Sequence, residues 1–164
     1  MAYTPSAAEA ARLYQHLLES NLSASLSAPE KCALMLALVE VWCVTGQWAR
    51  AETISRNALT EAEALGDSRL VARAKRALAG VLHLLGYYDA ALRWLAEAEQ
   101  GFQAAGDWRG VAGTLRIVGE IHWLRGDNLK AYAALERQLE IATGMNDPRS
   151  ICEALEAIGM VTGS

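Results

Sequence analysis

Glycines recur on a fixed ruler in this chain, and that ruler constrains the fold more than any other feature. Gly46, Gly86 and Gly126 stand forty residues apart, each ending one helical apolar rhythm just before the residue that opens the next. A second mark keeps the same spacing: Gly66-Asp67, Gly106-Asp107 and Asn146-Asp147. Two phased marks at one period denote an internal repeat, a unit that buries its apolar face only by stacking on its neighbours. The clearest copy is LRIVGEIHWLRGDNLKAYAALERQL, residues 115–139, where one rhythm runs to Leu124, breaks at Gly126-Asp127 and restarts at Leu129.

The spacing predicts eight helices. Thr4 and Pro5 make a helix opening, a capping hydroxyl followed by a residue without an N–H to leave unpaired, and the first helix is expected to reach about Leu22. Ala11 falls in the column of Ala51, Ala91 and Ala131, so this helix reads as the second half of a repeat whose first half is missing. Residues 21–28 form a Ser-rich connection, and Ser27-Ala28-Pro29-Glu30 is a capping box for the second helix. Further helices are expected over 29–45, 48–65, 68–85, 88–105, 108–125 and 128–143, and a last one starts at Asn146-Asp147-Pro148. The organisation is a single domain over 1–164: a half repeat 4–25, repeats 27–65, 67–105 and 107–145, and a partial repeat 147–164. The final helix has no partner, which suits either a cap or a piece of a longer protein; the second is expected.

Composition narrows the function classes. Hydrophobic residues make up 52% and charged ones 21%, with three prolines and one phenylalanine, which reads as soluble, globular and helical. A net charge of −4 gives no electrostatic reason for direct nucleic-acid binding, which depends on Lys and Arg neutralising phosphates. Three cysteines without paired spacing form no disulfide framework, and a reducing cytoplasm is expected. The N-terminus lacks the basic start and apolar run of a signal peptide, and no run is long enough to span a membrane.

Aligned on Gly119, one repeat reads Leu115-x-x-Val118-Gly119-x-x-His122 and then Ala131-x-x-x-Leu135. The one before it reads Lys75-x-x-Leu78-Ala79-x-x-Leu82, then Ala91-x-x-x-Leu95; the first reads Met35-x-x-Leu38-Val39-x-x-Trp42, then Ala51; the last reads Leu155-x-x-Ile158-Gly159-x-x-Thr162. This resembles the tetratricopeptide repeat, large-x-x-Leu-Gly-x-x-Tyr followed by Ala-x-x-x-Phe. The period of forty exceeds the short form by about a turn in the helices, and the longer form is similar to repeats of large bacterial signalling proteins and transcription regulators. The resemblance implies an all-α, right-handed α-solenoid of antiparallel helix pairs, a TPR-like superhelix. Val39 in the small column and Lys75 in the large apolar one depart from it, as does the missing terminal proline. A HEAT-like array shares the period, but the small-residue columns and mid-repeat glycine favour the tetratricopeptide register.

No enzyme motif is present. Gly106-x-x-x-Gly110-x-x-Gly113 has no preceding strand and no Gly-Lys-Ser/Thr after it, and reads as a helix start. His16, His83 and His122 lie on different helices without ligand spacing, and His122 sits in the aromatic column as a packed residue. Cys32 and Cys152 share the column of Ala72 and Ala112 and read as small buried hydrophobes, with Cys43 the more exposed thiol. Trp48, Tyr88, Trp94 and Trp108 are expected to pack between repeats. No cofactor or metal is expected.

The informative face is the other side of each first helix. Positions six and three before the Gly119 column, and one and four after it, fall within about 80° of one another at about 100° per residue. The resemblance places that face on the concave groove. It carries Ala33, Leu36, Glu40 and Cys43; then Arg73, Arg76, Gly80 and His83; then Gly113, Arg116, Glu120 and Trp123. Guanidinium groups beside an aromatic suit an acidic peptide. The plainer alternative is that these arginines pair with Glu40 and Glu120. The expected partner is therefore a protein or peptide, with Arg73, Arg76, His83, Arg116, Glu120 and Trp123 as contacts, and neither nucleic acid nor membrane. A homodimer through Leu155, Ile158 and Val161 on the final helix is the alternative. The carboxylate-clamp asparagine is replaced by Ala77 and Ile117.

Overall fold

A computed structural model describes residues 6–163, Leu22 by its backbone alone. Its helices are α1 (Ala7–Glu19), α2 (Ala28–Val44), α3 (Trp48–Leu65), α4 (Ser68–Leu84), α5 (Tyr88–Ala104), α6 (Trp108–Leu124), α7 (Asn128–Gly144) and α8 (Pro148–Thr162). The Thr4-Pro5 opening lies outside the described residues. Ser6 caps α1 instead, accepting from the Glu9 N–H while the Glu9 carboxylate accepts from the Ser6 N–H. α1 stops short of Leu22, and the Ser-rich connection contains a short 3-10 helix, Asn21–Ser25.

Both ends of the helices follow the ruler. Ser27, Asp67, Asp107 and Asp147 stand forty residues apart, and each side chain accepts a backbone N–H from the first turn of α2, α4, α6 or α8. Gly46, Gly66, Gly86, Gly106 and Gly126 take positive φ, and Asn146 does so at 53°. At Gly86 the glycine N–H donates to His83 O at 3.0 Å and the Tyr87 N–H to Leu82 O at 2.8 Å, which satisfies carbonyls the helix end would leave open. The sixth turn corrects the expected end of α7. Gly144 remains helical, and Asn146 makes the reversal because its short polar side chain tolerates the left-handed region.

Each helix packs on its sequence neighbours, while α2 also meets α4, α4 meets α6, and α6 meets α8. Among the described residues no comparable contact joins α3 to α5 or α5 to α7. The first helices of the units therefore form one wall and the second helices lie outside it. Small residues set the spacing: a Cβ on Gly119 would stand 2.6 Å from the Leu135 side chain, and Ala51, Ala91 and Ala131 are fully buried. Lys75 is tolerated in its apolar column because its stem packs inward while Nζ reaches Glu97 at 2.7 Å and lies 5.9 Å from the Trp94 ring.

Several side chains lie elsewhere than expected. Tyr88 and Trp94 pack on the core, but Trp48 and Trp108 are 38% and 50% exposed at helix starts. Cys32 is buried and donates to Ala58 O at 3.3 Å, whereas Cys152, in the same column, is exposed because no described helix follows α8 to cover it. Cys43 is only half-buried, and burial pushes its pKa up to about 11, with Glu40 adding to the effect. It is less available than Cys152. Among the described residues no helix is long and apolar enough to cross a membrane.

Candidate functional site: the groove of the first helices

Residues six and three before, and one and four after, the small column line the inner wall because α2, α4 and α6 present the same helical face in parallel. Leu36, Glu40, Cys43, Arg73, Arg76, Gly80, His83, Gly113, Arg116 and Glu120 meet around one open cavity of about 500 Å³. Five of the six expected contacts are thus gathered. Trp123 is 39% exposed and lines an adjoining cavity of about 590 Å³ between α6 and α8, together with Arg116, Glu120 and Val161. On α8, Leu155 is 52% exposed, while Ile158 and Val161 are half-buried.

Charge in the groove is only partly compensated. Arg116 lies 3.5 Å from Glu120 on its own helix, and His83 Nε2 lies 3.9 Å from the same carboxylate. Among the described residues neither Arg73 nor Arg76 has a carboxylate within ion-pair distance, and Glu40 pairs with no cation. Arg76 is seated rather than paired. Its guanidinium lies 5.1 Å from the Phe102 ring centre, and Nη1 donates to Gly110 O at 3.4 Å. Burial pushes its pKa down, with Arg73 and Arg116 adding to this and Glu40 and Asp107 opposing it. A half-buried guanidinium without its own anion favours an acceptor arriving from outside.

His83 is buried, and burial pushes its pKa below 6.5, with Glu120 opposing and Arg116 assisting. The imidazole is thus neutral near neutral pH and offers a donor or acceptor rather than a charge. Among the described residues no group of three or more His, Cys, Asp or Glu is placed to hold a metal ion.

Three features of this site depend on contacts between helices that the helical periodicity does not mark. Gly113 gives Arg76 its room, since a Cβ there would stand 2.8 Å from Nη1. Gly110 admits the Phe102 ring that Arg76 lies against, with a Cβ position 2.3 Å from that ring. Gln138 on α7 is buried with Oε1 unpartnered, and it lines a cavity of about 280 Å³ that also contains Arg76. The sequence does carry a signal for it: the equivalent residues forty and eighty earlier are Ala98 and Ala58.

The sequence matches no known family and no curated protein. Its fold is nevertheless found among solved structures. It is similar to BtubC (BKLC) from P. vanneervenii at a TM-score of 0.72 and 18% identity, over 94% of this chain and 63% of that one. The chain thus spans less than two thirds of the length of BtubC. It is also similar to a putative kinesin light chain of Podosopora anserina with nearly identical TPR-like repeats, at a TM-score of 0.70 and 14% identity, over 94% of this chain and 77% of that one. The all-helical array of paired helices is a TPR-like repeat solenoid, as the small-residue columns imply.

Proposed function

We propose that this chain is a non-catalytic scaffold that binds a protein or peptide along the groove of α2, α4 and α6, as part of a larger bacterial regulatory or signalling protein in the cytoplasm. One observation carries the reading: Arg73 and Arg76 face a groove in which, among the described residues, only Arg116 of the three arginines has its own carboxylate. The complementary partner is acidic, because desolvating a carboxylate beside two unpaired guanidiniums is compensated by charge-assisted hydrogen bonds. The TPR-like fold and the forty-residue period support the scaffold role. The test is fluorescence anisotropy on immobilised-library hits: Asp/Glu-rich peptides, and the same peptides with Ser in place of each carboxylate. Arg73→Glu and Arg116→Glu are expected to weaken the acidic peptides by about tenfold or more, ~1.4 kcal/mol, with circular dichroism unchanged. Equal binding by the Ser peptides, or by the variants, would sink the proposal.

A second reading is self-association through Leu155, Ile158 and Val161 on α8, supported by the exposure of Leu155 at 52%, with Ile158 and Val161 half-buried. Light scattering over a wide concentration range separates it. A dimer lost in Leu155→Glu supports this reading, and a monomer throughout removes it.

A further inference from the structure

We propose that the cavity between α4, α6, α7 and α8, where Arg76 and Gln138 meet, is a subsite for a side-chain carboxamide, a glutamine or asparagine of the peptide lying in the groove. The proposal rests on the groove reading for how that side chain is delivered.

Gln138 breaks the repeat. Its column holds Ala58 and Ala98, both fully buried where paired helices approach. Gln138 occupies that place 1% exposed, and its Oε1 has no hydrogen-bond partner. A buried acceptor left open is a standing penalty to the fold, and a small apolar residue is what the neighbouring repeats use instead. The amide is therefore poorly explained by packing alone.

The other polar groups around it are already matched. Arg109 lies 3.3 Å from Asp147 and Arg149 3.0 Å from Glu153, while Ser150 Oγ donates to Asp147 at 3.0 Å. Two groups lining the 280 Å³ cavity remain open: the Arg76 guanidinium, a donor beyond its bond to Gly110 O, and the Gln138 amide, whose buried oxygen is an acceptor without a partner. With Asp147 and Glu153 matched by Arg109 and Arg149, an entering carboxylate would pair with Arg76 but leave the buried Gln138 oxygen without a donor. An entering ammonium would satisfy that oxygen but face Arg76. A neutral group that accepts from Arg76 and donates to Gln138 satisfies both, and a carboxamide offers both functions on one carbon. The last torsion of a glutamine is broad, so the amide can turn its oxygen toward an entering donor.

The test uses the whole chain, 15N-labelled, titrated with N-acetylglutamine methylamide, its glutamate analogue and its norleucine analogue. The Gln138 side-chain NH2 signals are the readout, assigned by their loss in Gln138→Leu. The glutamine compound is expected to shift them saturably in the millimolar range, and the other two are not. Gly113→Ala, which displaces the Arg76 guanidinium, should weaken that binding about fivefold, as for one lost hydrogen bond. Gln138→Leu should unfold at a temperature no lower than the parent chain, since it removes an unpartnered amide. Tighter binding of the glutamate compound, equal shifts from norleucine, or a long-lived water on the amide with no shift from any compound would each overturn the assignment. Acidic peptides that bind through Arg73 while glutamine leaves Gln138 unmoved would remove the subsite alone. The converse result would remove the peptide-groove reading and leave the carboxamide pocket standing.

Discussion

Two neighbouring glycines on α6 separate what packing demands from what the groove demands. A methyl group at Gly110 would fall 2.3 Å from the Phe102 ring, which is fully buried and held on all sides. Gly110→Ala is expected to cost roughly 1–3 kcal/mol or more in urea unfolding, because neither the ring nor the backbone has space to yield. At Gly113 the nearest atom is the end of the Arg76 side chain, which moves at little cost. Gly113→Ala should stay within about 1 kcal/mol of the parent chain, while its groove is altered. Asn146 is a third special residue: it takes the left-handed φ of 53° that glycines supply in the other five turns between helices. Asn146→Ala should lower stability by ~1–2 kcal/mol and Asn146→Gly should not, a contrast that thermal unfolding would check.

At the scale of elements, the caps join neighbouring repeats as well as ending helices. Asp107 accepts from the Gly110 N–H at 2.9 Å to start α6 and from Arg69 Nε at 3.0 Å, which ties α6 to α4. Asp107→Ala is expected to cost about 0.5–2 kcal/mol, mostly through the lost cap. Arg69→Ala should cost less than about 1 kcal/mol, since its side chain is 65% exposed and solvent screens the pair. An Arg69 effect as large as that of Asp107 in denaturant titrations would contradict this ranking. The same contact recurs forty residues on, from Arg109 to the cap Asp147, while a different exposed pair, Arg125 with Asp89, ties the end of α6 to the start of α5.

For the whole molecule, stability is expected to fall on acidification in two stages. Burial holds His83 and His122 below their ordinary 6.5, so the unfolded chain takes up those protons first. Their contribution is complete above 6.5 and is lost as the pH falls through the folded values. Asp107 titrates next: burial opposes its ionisation, but the Gly110 N–H and Arg69 outweigh it and hold the carboxyl below 3.8. Its contribution is lost only as the pH falls below that value. Melting midpoints measured from about pH 7.5 downward should decline first near the histidine range, and His83→Gln should flatten that stage. A midpoint that rises as pH drops through that range would contradict it. Because each unit contacts only its neighbours, amide exchange should be slowest in α4, α5 and α6, which are packed on both sides, and fastest in α1 and α8.

The helices, their order and most of their ends were legible in the sequence because they depend on local chemistry. An aspartate before a helix, a glycine that accepts positive φ and an apolar residue every third or fourth position act within one or two turns of chain. The inner wall was legible for the same reason, since α2, α4 and α6 present equivalent faces at a fixed period. Tertiary structure decided what lies across those faces. Only the packing shows that Arg76 is seated on Phe102, that Cys152 is exposed while Cys32 is buried, and that the buried Gln138 lines a cavity with Arg76. Each of those outcomes depends on side chains from other helices, whose approach is set by the volumes and charges of residues far away in the chain.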